Sequence, residues 1–376
     1  MSVEPRGDRW RVRYREGDSH RSATFANEGD AREFDKKAKR LRAGGTPVPR
    51  RKDMPTLQEF AEDWFAEQTH WEDSTQVAYD NLLRTHIYPS IGHLHVIDAD
   101  LRIGRLDEWR KERLRKGSAK TLRPAIGVLN RILNAAVVAE YISGNPVPAL
   151  ESVKTTPRCD ANPLLPIEVE RLRAWFIERD DWWSATLISV LAYVGIRQGE
   201  AFALDWPDFG EKLYVAKRVM DGVVIPGTKK DRNDKSYRTV PEPVAQDLRE
   251  WRFKSGNRSG LIFPGPEGDP MTKSNIGNWR GHKNRKGSCF WQAKKDCGID
   301  MKFRVHDLRD TAASLLAATG ETADAVANQL GHSVGVSLSH YRHFIEGLEA
   351  KGKTLDGLIL EARGETGEDE AAAAAI

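Results

Sequence analysis

In the segment RWRVRYR, apolar and polar residues alternate strictly. Trp10, Val12 and Tyr14 fall on one side, and Arg9, Arg11, Arg13 and Arg15 on the other. A period of two predicts a β-strand with an arginine face. A turn at Gly17 and Asp18 and a second short strand ending near Thr24 and Phe25 follow. The period then becomes helical: Ala31, Phe34, Ala38 and Leu41 share a face, and Asp30 is placed to cap that helix. Gly44, Gly45, Pro47 and Pro49 mark a linker. From Thr56 the pattern is helical throughout. Thr56 and Glu59 form a capping box ahead of Leu57, Phe60 and Trp64. Ser74 is placed to cap a helix with Tyr79, Leu82 and Leu83 inward, and Leu101 to Leu114 reads as another. Ser118 opens a further helix with an apolar stripe at Leu122, Ile126, Leu129, Leu133 and Val137. Asn145-Pro146 closes this unit, and Pro146, Pro148, Pro157, Pro163 and Pro166 predict a stiff, extended connector.

These patterns predict a multidomain chain, mainly α with small β elements. A ββ-helix unit occupies 1–48, a helical unit 53–150 and a mixed α/β unit 162–346. Residues 347–376 are expected to be a C-terminal helix running into an acidic, low-complexity tail with a disordered end.

Charge adds a direction. The net charge is only +3, yet from Phe344 onward eight acidic residues face three basic ones. Before Asp53, fifteen Arg and Lys face eight Asp and Glu. A basic leading module and an acidic tail suit a binder of polyanions, although a solvated surface has the same composition. Lys120, Arg123 and Arg131 lie off the apolar stripe of their helix and are candidates for phosphate contact. The longest strongly apolar stretch, near Leu187–Ile196, is far too short to span a bilayer. With no apolar leader and no paired pattern among Cys159, Cys289 and Cys297, a cytoplasmic protein with free thiols is expected. His86, His93 and His95 have no accompanying Cys or HExxH. The stretch HIYPSIGHLHV therefore reads as a loop between helices, and no metal site is expected.

Four motifs in the largest unit matter together. GIRQGEAFALDW places Arg197 and Glu200 on one helical face. TKKDRNDKSYRTVP reads as a polar β-hairpin, with Lys229 near its start and Val240-Pro241 at its exit. HDLRDTAASLLAATG opens a helix with His306 and Arg309 on one face, and LGHSVGVSLSHY holds His332 nine residues before Tyr341. Each alone is weak, since an isolated tyrosine is usually a half-buried aromatic and an RxxE pair usually a surface ion pair. The order of all of them within one unit is specific.

In that order, the motifs resemble the tyrosine recombinase, or phage integrase, family over nearly the whole chain. The resemblance implies that Arg197, Lys229, His306, Arg309 and His332 are catalytic, that Tyr341 is the nucleophile and that Glu200 is a supporting carboxylate. Lys230 and Lys235 compete with Lys229, because the hairpin carries an insertion-like NDKSY stretch. The resemblance also implies an arm-site DNA-binding unit at the N-terminus, a core-site DNA-binding unit at 53–150 and a catalytic unit at 162–346. It further implies double-stranded attachment sites as substrate, a tetramer on DNA, accessory DNA-bending and directionality proteins, and no cofactor.

The residue types suit that chemistry. A phosphodiester under attack gathers charge on its non-bridging oxygens, and a guanidinium is a planar, permanently charged clamp for two of them. Nearby cations favour the phenolate of a tyrosine whose ordinary pKa is about 10. No Walker-type loop occurs, and rejoining from an enzyme-linked phosphate needs no nucleotide. Three readings stay open: an integrase acting on a mobile element; a chromosome-dimer resolvase or type IB topoisomerase-like enzyme; and a catalytically silent DNA-binding regulator. The apolar residues Phe344, Ile345, Leu348, Leu355 and Leu358 predict a helix that docks either on a neighbouring subunit or on its own domain.

Overall fold

The structure is a computed structural model. It describes residues 3–16, 19–43, 54–98, 100–117, 119–154, 163–227, 236–281, 289–335, 350 and 352–374. Within these, the side chains of 15, 16, 19, 33, 37, 40–43, 73, 236 and 365–374 fall outside the description. The chain divides into two compact units, Met1–Arg158 and Cys159–Ile376.

The first unit opens with three strands rather than the expected two: β1 (Val3–Arg6), β2 (Arg9–Glu16) and β3 (Ser19–Phe25), antiparallel in that order. The extra strand comes from VEPR, whose pattern is too short to carry a period. Helix α1 (Glu28–Ala43) covers the apolar face of the sheet, where Val12, Ala31 and Ala38 are buried and Phe34 meets Tyr14 and Phe25 at ring distances of 5.1 Å each. Its start is capped by Asn27, whose Oδ1 accepts from the Asp30 amide at 2.8 Å, so Asp30 lies in the first turn and is not the cap.

Helices α2 (Leu57–Ala66), α3 (Asp73–Leu82), α4 (Tyr88–Ile91), α5 (Ile103–Lys116) and α6 (Ala119–Val138) follow. The Thr56–Glu59 capping box forms as expected. Ser74 does not cap α3: the helix begins one residue earlier, after Glu72, with no side-chain cap. The stretch expected as a histidine-bearing loop is partly helical, because a wide π turn at Leu83–Ile87 leads into α4. Pro89 is tolerated there because it sits in the first turn, where its missing N–H breaks no helical hydrogen bond. The α6 stripe buries Leu122, Val128, Leu129, Ile132 and Leu133.

The second unit contains α7 (Pro166–Ile177), α8 (Trp182–Ser189), α9 (Gln198–Ala201), α10 (Glu242–Ser255), α11 (Lys273–Arg280), α12 (Phe290–Asp296), α13 (Asp307–Ala318) and α14 (Ala323–Leu330). A C-terminal helix spans Leu355–Ala374. Strands β4 (Leu213–Val215) and β7 (Ser236–Arg238) pair with each other, as do β5 (Lys217–Met220) and β6 (Val223–Pro226). The first side of the expected hairpin, 228–235 with Lys229, lies outside the described residues; its exit side, β7, pairs with β4. The core centres on Phe176, Leu187, Ile188, Tyr193, Phe202, Trp206, Phe263 and Leu308.

Helix is described over Leu355–Ala374, with the side chains of 365–374 outside the description; alanine and glutamate are strong helix formers. Leu358, Ile359 and Ala362 are buried on the chain's own unit, whereas Phe344, Ile345 and Leu348 lie outside the described residues.

Candidate functional site

The site begins where α8 ends. A π turn at Val190–Val194 stops at Gly195, in the left-handed conformation with φ +75°. A side chain is excluded there: a Cβ would lie 2.2 Å from Leu330 Cδ2 and 2.8 Å from Ala312 Cβ. The close approach brings α13 and the end of α14 onto the turn. Arg197 then enters α9, and Glu200 holds it twice. One carboxylate oxygen accepts from the Arg197 backbone N–H and the other from Nη1, both at 2.8 Å. Arg197 Nη2 reaches the Gly331 carbonyl at 3.3 Å.

Arg309, on α13, is only 7% exposed. Its Nη1 donates to the Gly195 carbonyl at 2.7 Å, and its Nη2 donates to the Leu330 carbonyl. Burial pushes its pKa down to about 10, with the positive charges of Arg197 and Arg238 acting in the same direction and Glu200 opposing them. Arg238 was not foreseen. It occupies β7, is 4% exposed, and donates from Nη1 to the Asn328 carbonyl at 2.6 Å. An arginine in a short polar strand ordinarily faces water, so no sequence signal marked it. Its guanidinium lies against Gly331, where a Cβ would sit 2.3 Å from Nη2. Gln329 ties the same region together: Nε2 donates to the Thr239 carbonyl at 2.8 Å and the Val194 carbonyl at 3.2 Å, and Oε1 accepts from the Thr239 amide at 3.0 Å.

Three guanidiniums thus converge on the loop Gly195–Arg197 and the turn at Gly331, and among the described residues the buried carboxylate facing them is Glu200. His332 follows that turn directly, half-buried, with Nδ1 3.2 Å from the Ser333 carbonyl oxygen. His306 precedes α13 and is exposed. Lys229, Lys230, Lys235 and Tyr341 lie outside the described residues. In the described part, guanidinium groups are held in place by main-chain carbonyls and Glu200, an arrangement suited to receiving an anion.

A second basic surface lies in the first unit. Cross-strand partners share a face, and the pairs Arg6–Arg9, Glu4–Arg11, Arg11–Thr24 and Arg13–Ser22 put Arg9, Arg11 and Arg13 on the face away from α1. Glu4 partly neutralises it, 3.0 Å from Arg11 and 3.5 Å from Arg13. Arg6 joins this face, a contribution visible only once β1 was known. The side chain of Arg15 lies outside the description. Lys120, Arg123 and Arg131 are all exposed on α6.

Comparison with known proteins bears on both surfaces. The family model described as phage integrase family matches residues 164–346, and that of the phage integrase central domain matches 57–153. The integrase of Mycobacterium phage D29 is 28% identical over 288 residues, covering 74% of this chain and 72% of the relative. A putative prophage phiRv2 integrase of Mycobacterium tuberculosis is 26% identical over 315 residues, covering 80% and 78%. Among solved structures, the Tn1549 transposon integrase in complex with circular intermediate DNA has a TM-score of 0.62 at 18% identity, covering 76% of this chain and 95% of that one. A lambda integrase tetramer bound to a Holliday junction has a TM-score of 0.59 at 15% identity, covering 90% and 94%.

Proposed function

The chain belongs to the phage integrase family, and from that premise we propose that it cuts and rejoins DNA through a covalent bond to Tyr341. It is a site-specific tyrosine recombinase for the integration of a mobile element. The observation that carries the proposed site is the gathering of the Arg197, Arg238 and Arg309 guanidiniums at Gly195–Arg197 and Gly331, with Glu200 holding Arg197.

In this reading, Arg197 and Arg309 hold the two non-bridging oxygens of the scissile phosphate, and His332 adds a hydrogen bond. Glu200 keeps Arg197 in place. The Tyr341 phenol gives its proton to His306 and its oxygen bonds to phosphorus. The bond to the 5′ oxygen breaks, and Lys229 protonates the leaving oxygen. The products are a 3′-phosphotyrosine and a free 5′-hydroxyl. Attack by a 5′-hydroxyl from the partner duplex reverses the step and releases Tyr341. The bond broken in each step is matched by the bond formed, so no nucleotide is consumed.

DNA is the partner. The sheet face bearing Arg9, Arg11, Arg13 and Arg15 takes arm-type sites, and residues 53–150, with Lys120, Arg123 and Arg131 of α6, grip the core site by backbone contacts. Four copies assemble on two sites, with bending and directionality proteins assisting, in the cytoplasm where the DNA lies. Among the described residues no helix is long and apolar enough to cross a membrane.

A nicked duplex that traps the covalent species tests the proposal. An SDS-resistant protein–DNA adduct is expected, and Tyr341→Phe abolishes it while retaining DNA binding. An adduct that survives Tyr341→Phe refutes the nucleophile. DNA binding with no adduct from the wild-type protein points to a silent regulator.

A further inference from the structure

Beside the Arg197 pocket sits a cation with an unusual partner. Arg280 closes α11, and its Nη2 donates to Oε1 of Gln198, the residue directly after Arg197. Its mounting is rigid. Trp279, only 8% exposed, donates from its indole N–H to Ser184 Oγ at 2.9 Å and stacks on Phe290 at 5.7 Å. Thr272 caps the start of the same helix by accepting from the Asn275 amide at 3.1 Å. The next residue, Gly281, has φ +69°, and a Cβ there would lie 2.5 Å from Cys289 Sγ, so the chain after Arg280 is sterically constrained as well.

The partner is what sets Arg280 apart. Arg84 and Arg249 are held by carboxylates, Asp80 and Glu242, at 2.8 and 2.7 Å. Arg280 is held by a neutral amide, and among the described residues no carboxylate faces it. An arginine only donates, so the amide oxygen of Gln198 must point at the guanidinium. Gln198 Nε2 is consequently turned into the protein, where it is buried and makes no hydrogen bond among the described residues. The arrangement orients Arg280 without neutralising it, at the expense of an unmade hydrogen bond. Partial burial also pushes the Arg280 pKa down, and among the described residues no counter-charge pulls it back up.

We propose that Arg280, oriented by Gln198, is a second phosphate subsite that grips a phosphodiester neighbouring the one being cleaved. The inference rests on the recombinase reading above and extends it: Arg280 is tied to the residue directly after Arg197, beside the pocket that would hold the scissile phosphate. By clamping the flanking phosphate, Arg280 sets where the scissile phosphate sits between Arg197 and Arg309.

The test uses the full chain, the nicked duplex described above, and a set of duplexes in which each phosphate flanking the scissile one is replaced in turn by a neutral methylphosphonate. On unmodified DNA, Arg280→Ala is expected to lower both affinity and adduct formation about tenfold, the size of one charge-assisted hydrogen bond. The dependence of affinity on salt should lose about one counterion. Gln198→Glu, nearly isosteric, supplies an internal carboxylate and should reproduce most of the loss. Arg280→Lys keeps the charge without the fork and falls between. The deciding readout is the modified set: at one flanking position, wild type and Arg280→Ala become equal. The proposal is overturned if Arg280→Ala matches wild type on unmodified DNA, or if the deficit persists with every methylphosphonate. Failure of the wild type to form any adduct overturns the recombinase reading instead, and the affinity and salt measurements then still decide the subsite.

Discussion

Two clusters of buried charge lie in the second unit, built from the same kinds of side chain. In one, Glu170 and Asp247, both almost fully buried, face Arg173 and Arg363. Arg363 reaches from the C-terminal helix to Glu170 at 3.1 Å and Asp247 at 2.7 Å. Tyr193 donates to Glu170 at 2.8 Å and Ser189 to Asp247 at 2.7 Å. Two carboxylates meet two guanidiniums, and the hydroxyls fill remaining acceptor sites. In the other cluster, Glu200 pairs with Arg197 and also acts on Arg309, and among the described residues Arg197, Arg238 and Arg309 spend much of their hydrogen bonding on main-chain carbonyls. A balanced network joins elements of the fold. An unbalanced one is stable only because carbonyl dipoles substitute for anions, and it is ready for an anion from outside. Tyr193 and Arg197 are four residues apart, so the two kinds of cluster adjoin along the chain.

The largest expected effect comes from unbalancing the first cluster. Arg363→Ala leaves two buried carboxylates to the single guanidinium of Arg173 and is expected to cost about 3–5 kcal/mol, measured by urea unfolding. Burial holds the Glu170 carboxyl above its ordinary range, with Arg363 pulling it down. A raised folded pKa favours the protonated form, so the penalty for Glu170 is absent below its unfolded value and grows as pH rises through the folded one. The deficit of Arg363→Ala should therefore shrink in acid and be greatest near neutrality. A deficit independent of pH contradicts this account.

Next is the unbalanced cluster. Arg309→Ala should slow adduct formation about 10²–10³-fold, as expected for removing a preorganised oxyanion donor, while affinity for DNA falls far less. A loss confined to binding would assign Arg309 to docking rather than to the reacting phosphate. Smaller again is Gly195→Ala, where left-handed backbone and a clash with Leu330 should cost about 1–3 kcal/mol and slow adduct formation by shifting α14. Normal stability and rate would mean that the turn adapts. The smallest stability effect belongs to a third class, exposed arginines. Arg13→Ala should leave the unfolding free energy within about 0.5 kcal/mol yet reduce the salt dependence of arm-site binding by about one counterion. An unchanged salt slope removes Arg13 from the DNA face.

Much of the layout was legible because period and capping are local. Alternation in β2 and the stripe of α6 follow directly from side-chain direction along a strand and a helix. The Thr56–Glu59 box needs only neighbours in sequence. Local signals failed where tertiary packing or a longer-range pairing decided. Asn27, not Asp30, caps α1, and β7 pairs with β4 across an intervening ribbon. Arg238 and Arg280 were missed because nothing local distinguishes an arginine that will be buried or amide-bound from one in water.

By itself the sequence determined the order of elements, the alternation that separates a basic face from an apolar one, and the types of side chain available for phosphate chemistry. All of these are properties of consecutive or helically spaced residues. Tertiary structure alone decided which arginines lose their water and which acids, amides or carbonyls receive them. Desolvation and counter-charge depend on chain segments more than a hundred residues apart, such as Gly195 with Arg309 and Glu170 with Arg363, and no local pattern encodes that distance.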